Sequence, residues 1–171
     1  MQLREAAPSD FPAVVALANS AYRDVSGQGW TSEAGYIGGQ RLTEDALRAD
    51  FAAQPGASLL LWRENGELLG TVWLEPAADG AWYLGLLIVR PDLQGAGAGR
   101  ALLAAAEEAV GERGGRRIEM SVVNIRDSLI AWYERRGYRL TGQTKPFPYG
   151  DERFGKPLRD DLEFLLMEKL L

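Results

Sequence analysis

The most regular apolar spacing in the chain lies between residues 97 and 110, where Leu102, Leu103, Ala106 and Val110 fall on one face of a helix. Gly111 and the pair Gly114-Gly115 are expected to end it. Upstream, apolar runs of strand length at 58–63 and 67–75 are joined through Asn65-Gly66, a dipeptide that predicts a tight hairpin. A third run at 81–89, rich in aromatic and branched residues, follows the turn Ala78-Asp79-Gly80, so three consecutive strands are expected. The run at 117–123 comes after a helical crossover and should therefore lie parallel to 81–89.

Shorter elements frame this centre. A strand at 2–6 precedes a helix over about 10–22, with Ser9 or Asp10 as cap and Pro12 in its first turn, where a missing N–H costs nothing. A helix at 44–53 starts behind Thr43, another over 126–136 stops at Gly137, and strands at 138–140 and 162–169 follow. Asn124 reads as a cap for the 126–136 helix, with Asp127 in its first turn. Two stretches carry no clear element, 24–40 and the twenty or so residues from 142 to 161. Loops that long are usually functional or disordered. The prolines flanking Phe147, with Tyr149 and Phe154 after it, point to an ordered one. No repeat or linker interrupts the chain, so 1–171 is read as one α/β domain, mostly antiparallel at first and with a parallel βαβ unit in the middle.

Composition narrows the chemistry. A chain of 171 residues, 46% hydrophobic and 25% charged, can bury one sizeable core. The net charge of −5 argues against a nucleic-acid partner, and the short basic clusters at 113–117 and 135–136 read as solvated helix ends. No secretory signal is visible at residues 1–10, and no apolar run approaches the ~20 residues that span a bilayer, so a cytoplasmic protein without a membrane partner is expected. Cysteine and histidine are both absent. That removes Ser-His and Cys-His nucleophilic systems together with thiolate and imidazole metal sites, and no metal is expected. Carboxylates, tyrosines, backbone groups or a cofactor must carry any reaction.

Residues 90–103, RPDLQGAGAGRALL, set Gly95, Gly97 and Gly99 at alternate positions at the mouth of the 97–110 helix. Helix N-termini expose unpaired N–H groups and a partial positive charge, and glycines let an anion approach them. A P-loop is excluded because no Lys-Ser/Thr follows, and a dinucleotide fingerprint fails because Arg100 and Leu102 stand where its third glycine belongs. What fits is Q-x-x-G-x-G. This resembles the pyrophosphate loop of the GNAT superfamily of N-acetyltransferases, and the order of elements matches that family over nearly the whole chain. A second family signature, N-x-x-A-x-x-x-Y-x-x-x-G-[FY], is similar to residues 126–138, where Tyr133, Gly137 and Tyr138 match. Arg126 stands at the asparagine position and Leu129 at the alanine.

The resemblance implies a mixed central sheet with helices on both faces and acetyl-CoA as cosubstrate. Leu87, Ile88 and Val89 would pair with the pantetheine amides, and Gln94, Gly95, Ala96, Gly97, Ala98, Gly99 and Arg100 would hold the pyrophosphate. Arg126 joins this cofactor-binding set by its place in the second signature. A backbone N–H in the 86–88 region would polarise the thioester carbonyl. Tyr133 would protonate the departing thiolate, the alternative being that it only packs in the core beside Trp132. The acceptor amine, small or peptidic, would bind between the segments 27–40 and 145–155, against Trp30, Glu33, Tyr83, Phe147, Tyr149 and Asp151. Trp30 and Phe147 could equally pin those loops to the core. No glutamate stands in the 81–89 strand, so the base remains open among Glu33, Glu119, Asp151, Glu152 and Tyr83 acting through water. With no cysteine for an acyl-enzyme, the implied reaction is direct attack in a ternary complex. A non-catalytic acyl-CoA sensor of the same fold is the second reading, and a flavodoxin-type nucleotide binder is disfavoured by the Asn65-Gly66 hairpin. The resemblance also allows a homodimer, since many relatives are dimers.

Overall fold

The computed structural model describes residues 1–23 and 31–171. Its strands are β1 (Leu3–Glu5), β2 (Ile37–Gly38), β3 (Ser58–Glu64), β4 (Glu67–Pro76), β5 (Ala81–Val89), β6 (Arg117–Val123), β7 (Arg139–Pro146), β8 (Lys156–Pro157) and β9 (Glu163–Leu170). Four α-helices join them: α1 (Phe11–Arg23), α2 (Glu44–Ala53), α3 (Ala98–Glu112) and α4 (Asp127–Glu134). Seven strands form one sheet in the order β1-β3-β4-β5-β6-β9-β7, and β2 pairs with β8 outside it. Every contact in the large sheet is antiparallel except β5 with β6, where the α3 crossover intervenes.

Strand alternation sorts the apolar residues onto two faces. Leu60, Val72 and Leu74 face α3 and α4, meeting Leu102, Leu103, Ala106 and Val110. Leu59, Leu61 and Trp73 face α1 and α2, meeting Phe11, Val14, Leu17 and Leu47. Burial on both faces is why β3 and β4 read as continuous apolar runs. Each buried leucine contributes roughly 1.5–3 kcal/mol.

Local signals set the element ends. Thr43 Oγ1 accepts from the Ala46 N–H at 3.1 Å and starts α2. Asn65 and Gly66, at φ 52° and 81°, make the β3–β4 hairpin. α3 runs through Gly111 to Glu112 instead of stopping there, and closes where the Gly115 N–H returns to the Val110 carbonyl at 2.9 Å.

Two expectations are corrected. The strand expected at 138–140 continues to Pro146, bulged between Leu140 and Thr144 where it pairs with β9. It is an exposed edge of polar residues, with no apolar alternation to mark it. Asn124 does not cap α4. Its Nδ2 donates to the Asp161 carbonyl at 3.0 Å and its Oδ1 accepts from the Glu163 N–H at 3.1 Å, tying the end of β6 to the start of β9.

Asp10 closes a turn, Pro8–Asp10, ahead of α1 and collects three partners. Its carboxylate accepts from the Ala7 N–H at 2.8 Å, from both Arg4 Nη atoms at 2.8 and 3.0 Å, and from Arg63 at 3.1 Å. The Arg4 hydrogen bonds foremost hold this carboxyl down at about 2. Because the folded value lies below the unfolded one of about 3.9, the stabilisation is complete above that pH and is lost as pH falls through about 2. Asp10→Asn is therefore expected to lower unfolding free energy by about 2 kcal/mol at neutral pH, the gap closing in acid. Urea titrations of both proteins across pH 2–7 check this; a gap independent of pH would deny the ion pair its part.

Candidate active site

The centre of the sheet opens between β5 and β6. Their parallel pairing covers only Ala81–Tyr83 against Arg117–Glu119, while β6 goes on pairing with β9 as far as Val123. Beyond Tyr83, β5 therefore has no strand on its β6 side. The other edge of β5 is interrupted too: Thr71 opposes Ile88 but Trp73 opposes Gly85, which leaves one extra residue on β5. Leu86 absorbs that bulge at φ 45°, a left-handed conformation costing a non-glycine residue roughly 1–2 kcal/mol. The buried Thr71 hydroxyl holds it by donating to the Leu86 carbonyl at 2.8 Å. Bulges re-aim a strand beside functional sites. Here the bulge turns Leu87–Val89 along the opening.

Past β5 the chain enters the glycine segment. Gly95 and Gly97 lie at φ 87° and 85°, and Gly97 immediately precedes α3, whose first turn no side chain caps. A Cβ on either glycine would meet nothing within 4 Å, so the helix mouth is an open cradle. Gln94 Nε2 donates to the Val89 carbonyl and to Thr31 Oγ1, both at 3.0 Å, and its Oε1 is buried without a partner. Exposed N–H groups at the start of a long helix, left-handed glycines and an orphaned amide oxygen fit a phosphate-bearing ligand. A groove of about 410 Å³ runs from this cradle past Leu87, Val89, Arg100 and Trp132 to Tyr133.

Tyr133, on α4, is buried against Trp132 and Tyr138 with ring centroids 5.0 and 5.6 Å away. Burial foremost, helped by Tyr22, pushes its phenol well above the ordinary value of about 10, so it is protonated at neutral pH. Tyr133, Leu87 and Leu129 line both the groove and a second cavity of about 410 Å³. Glu33 is buried in that cavity wall, with Arg23 at 2.6 Å and Arg126 at 3.5 Å. Arg126 also donates to the Tyr36 hydroxyl at 3.1 Å and the Thr31 carbonyl at 3.3 Å. Burial and then Glu33 push the Tyr36 phenol up to about 12. Tyr83 and Ser121 share a hydroxyl contact of 3.2 Å across the mouth of the opening.

The residues singled out from sequence sort themselves around these two spaces. Leu87, Val89, Gln94, Gly95, Gly97, Gly99, Arg100 and Tyr133 line the groove. Ile88 packs instead in the core under α1, and Ala96 and Ala98 belong to the loop and first helical residue without lining it. Arg126 stands in the second cavity, not in the groove, together with Glu33, Tyr83 and Phe147. Tyr149 and Asp151 are not brought into that wall. The Tyr149 hydroxyl donates to the Arg159 carbonyl and accepts from the Leu162 N–H, and Asp151 pairs with Arg153 at 2.6 Å. Glu119 pairs with Arg117 at 2.9 Å, outside the cavity wall, as is Glu152. Trp30 lies outside the described residues. Sequence reasoning missed Tyr22, Arg23, Arg41, Ser121 and Lys145, which complete the cavity. Tyr22, Arg23 and Lys145 stand at or near element ends, Arg41 between two elements and Ser121 within β6, with no motif to mark them. Among the described residues, no helix is long and apolar enough to cross a membrane, and no group of three acidic side chains could hold a metal.

Solved structures share this architecture. A ribosomal-protein-alanine N-acetyltransferase from Brucella melitensis is 21% identical, with the whole of both chains covered and a TM-score of 0.72. The ribosomal-protein-S18-alanine N-acetyltransferase of Escherichia coli is 17% identical over 99% of this chain and 92% of that one, at 0.72. PaiA N-acetyltransferase from Thermoplasma acidophilum, solved in complex with coenzyme A, is 16% identical over 99% and 98%, at 0.69. The Acetyltransferase (GNAT) family model matches residues 20–138, which take in the splayed strands, the glycine cradle and Tyr133. The chain belongs to the GNAT family of acetyltransferases.

Proposed function

We propose that this protein transfers the acetyl group of acetyl-CoA to an amine by direct attack in a ternary complex. The observation that carries this reading is the meeting of two spaces at Tyr133: a groove that begins in an anion cradle and a separate cavity on the far side. A relative solved with coenzyme A supports the ligand, and the named N-acetyltransferases among the neighbours support the reaction. Acetyl-CoA supplies the activated acetyl thioester. Gln94 through Arg100 hold its pyrophosphate with the N–H groups at the start of α3, and Arg136, beside Arg100, adds positive charge at the groove. Leu87, Ile88 and Val89 offer backbone groups to the pantetheine amides along the edge that β6 leaves unpaired. A backbone N–H freed by the bulge in the 86–88 region steadies charge on the acyl oxygen. As the nitrogen–carbonyl bond forms and the carbon–sulfur bond breaks, Tyr133 gives its proton to the departing sulfur, and the nitrogen sheds its own proton to solvent, from which the phenol is restored. A thiol with a pKa of about 8.5 is more acidic than this phenol, so the proton moves as the bond breaks, not before.

Calorimetric titration of the purified protein with acetyl-CoA and CoA, with NAD and ATP alongside, tests the first half. Binding of acetyl-CoA and CoA alone is expected. CoA binding without turnover on any amine would leave an acyl-CoA sensor, and no CoA binding would overturn the reading.

A further inference from the structure

We infer that a pocket beside the anion cradle, walled by Arg100, Arg135 and Arg136, takes a second phosphate of the same ligand, the monoester on the ribose of coenzyme A; this deepens the proposed use of acetyl-CoA and rests on it. The pocket, of about 470 Å³, lies between α3 and the end of α4 and shares Arg100 and Arg136 with the groove. Its other charged lining residues are Lys169 and Glu107, and these two cancel. Lys169 Nζ donates to both Glu107 carboxylate oxygens at 2.9 Å, and the Tyr138 hydroxyl donates to the same carboxylate at 3.0 Å. The arginines are not spent in this way: among the described residues no carboxylate pairs with Arg100, Arg135 or Arg136. Glu108 and Glu134, the nearest acids along the chain, are exposed and outside the pocket wall. Adjacent residues of a helix do not face each other, so Glu134 is poorly placed to neutralise Arg135. In a chain of net charge −5, this one recess keeps its positive charge.

The sequence alone reads 135–136 as a solvated helix end, and Arg136 departs from that. Its guanidinium lies over the Trp132 ring, 3.7 Å from the centroid, and its Nη1 donates to the Trp132 carbonyl at 2.7 Å. Its Nε is buried without a partner. Stacking and hydrogen bond together fix the plane of the fork before any ligand arrives. Burial foremost, then Arg135 and Arg100, lower the Arg136 guanidinium from its ordinary value, as expected of cations gathered with no anion between them. An anion placed there relieves that repulsion. The identity of the anion follows from continuity. A pyrophosphate at the mouth of α3 carries its ribose toward Arg100, where groove and pocket meet. Coenzyme A bears a phosphomonoester on that ribose, a group of nearly two negative charges at neutral pH with three acceptor oxygens. Arginine's planar fork matches such a group.

The test is isothermal titration with CoA and with dephospho-CoA, which differ only in that phosphate. CoA is expected to bind about tenfold or more tightly, as one charge-assisted hydrogen bond implies. Arg135→Gln and Arg136→Gln should each bring the ratio of the two affinities toward one. A packing defect weakens both ligands alike and leaves the ratio standing, so the ratio reads the phosphate contact alone. Arg135 is exposed, and its variant stays informative should loss of the Arg136 stack disturb folding. Arg139→Gln removes an equal charge from a side chain paired with Glu168 outside the pocket, and should keep the wild-type ratio. Equal affinities in the wild type, a ratio unmoved by both pocket variants, or one moved as far by Arg139→Gln would overturn the inference and leave acetyl-CoA as cosubstrate. If neither ligand binds, the proposed function falls and this inference with it.

Discussion

Replacing Gly97 with valine is expected to weaken CoA binding about a hundredfold or more while leaving a folded protein. The proposed ligand's pyrophosphate takes hydrogen bonds from N–H groups at the start of α3, and bonds to a charged group contribute about 1.5–3 kcal/mol each. Losing two corresponds to 10²–10³ in affinity, in order of magnitude. A valine branch at this position would stand in the open space of the cradle, where nothing lies within 4 Å to absorb it. The same substitution also strains the backbone, since φ is 85°. Gly114 separates the two effects: it sits beyond the other end of α3 at φ 80°, with equally open space around it. Gly114→Val should cost comparable stability and leave CoA affinity intact. Isothermal titration of both variants, with thermal midpoints measured alongside, reads the outcome. Equal affinities in the two proteins would sink the anion-cradle assignment.

The cradle was legible because its signal is local: alternate glycines, a strand before and a helix after. The same holds for the Asn65-Gly66 hairpin, β5, β6 and the Thr43 cap, each fixed by residues a few positions apart. The β5 bulge was not legible. Leu86 is an ordinary leucine in an apolar run, and only the pairing offset between Thr71 and Trp73 forces it to a positive φ. β7 escaped for the opposite reason, being an exposed edge whose strand character comes from β9 and not from its own pattern.

The second cavity shows the limit most clearly. Glu33, Phe147, Tyr83 and Arg126 were candidates from the sequence, Arg126 for the cofactor instead of this cavity, but Arg23, Arg41 and Lys145 were not. Arg23 ends α1, Arg41 lies between β2 and α2, and Lys145 lies near the end of β7. Each looks like a solvated charge in its own segment. They line one cavity only because the fold brings residues more than a hundred positions apart together.

Tyr133→Phe is expected to lower kcat roughly a hundredfold or more, the usual contribution of a positioned general acid, with acetyl-CoA affinity little changed. The phenyl ring fills the same buried space against Trp132 and Tyr138, so packing is retained. Because burial raises the Tyr133 phenol, its proton is kept through neutral and mildly alkaline pH. Loss of that proton therefore gives the wild-type rate no alkaline fall below about pH 10. Tyr138 provides the contrast. It is also buried, and its hydroxyl donates to Glu107 at 3.0 Å, away from the groove. Tyr138→Phe should cost about 1 kcal/mol of stability through the lost hydrogen bond and spare kcat. Steady-state kinetics over pH 6–9.5 and urea unfolding on both variants separate the two roles. A Tyr133→Phe protein that turns over at the full rate would make Tyr133 a packing residue. Transfer would then have to rely on a water at the junction of groove and cavity to protonate the sulfur.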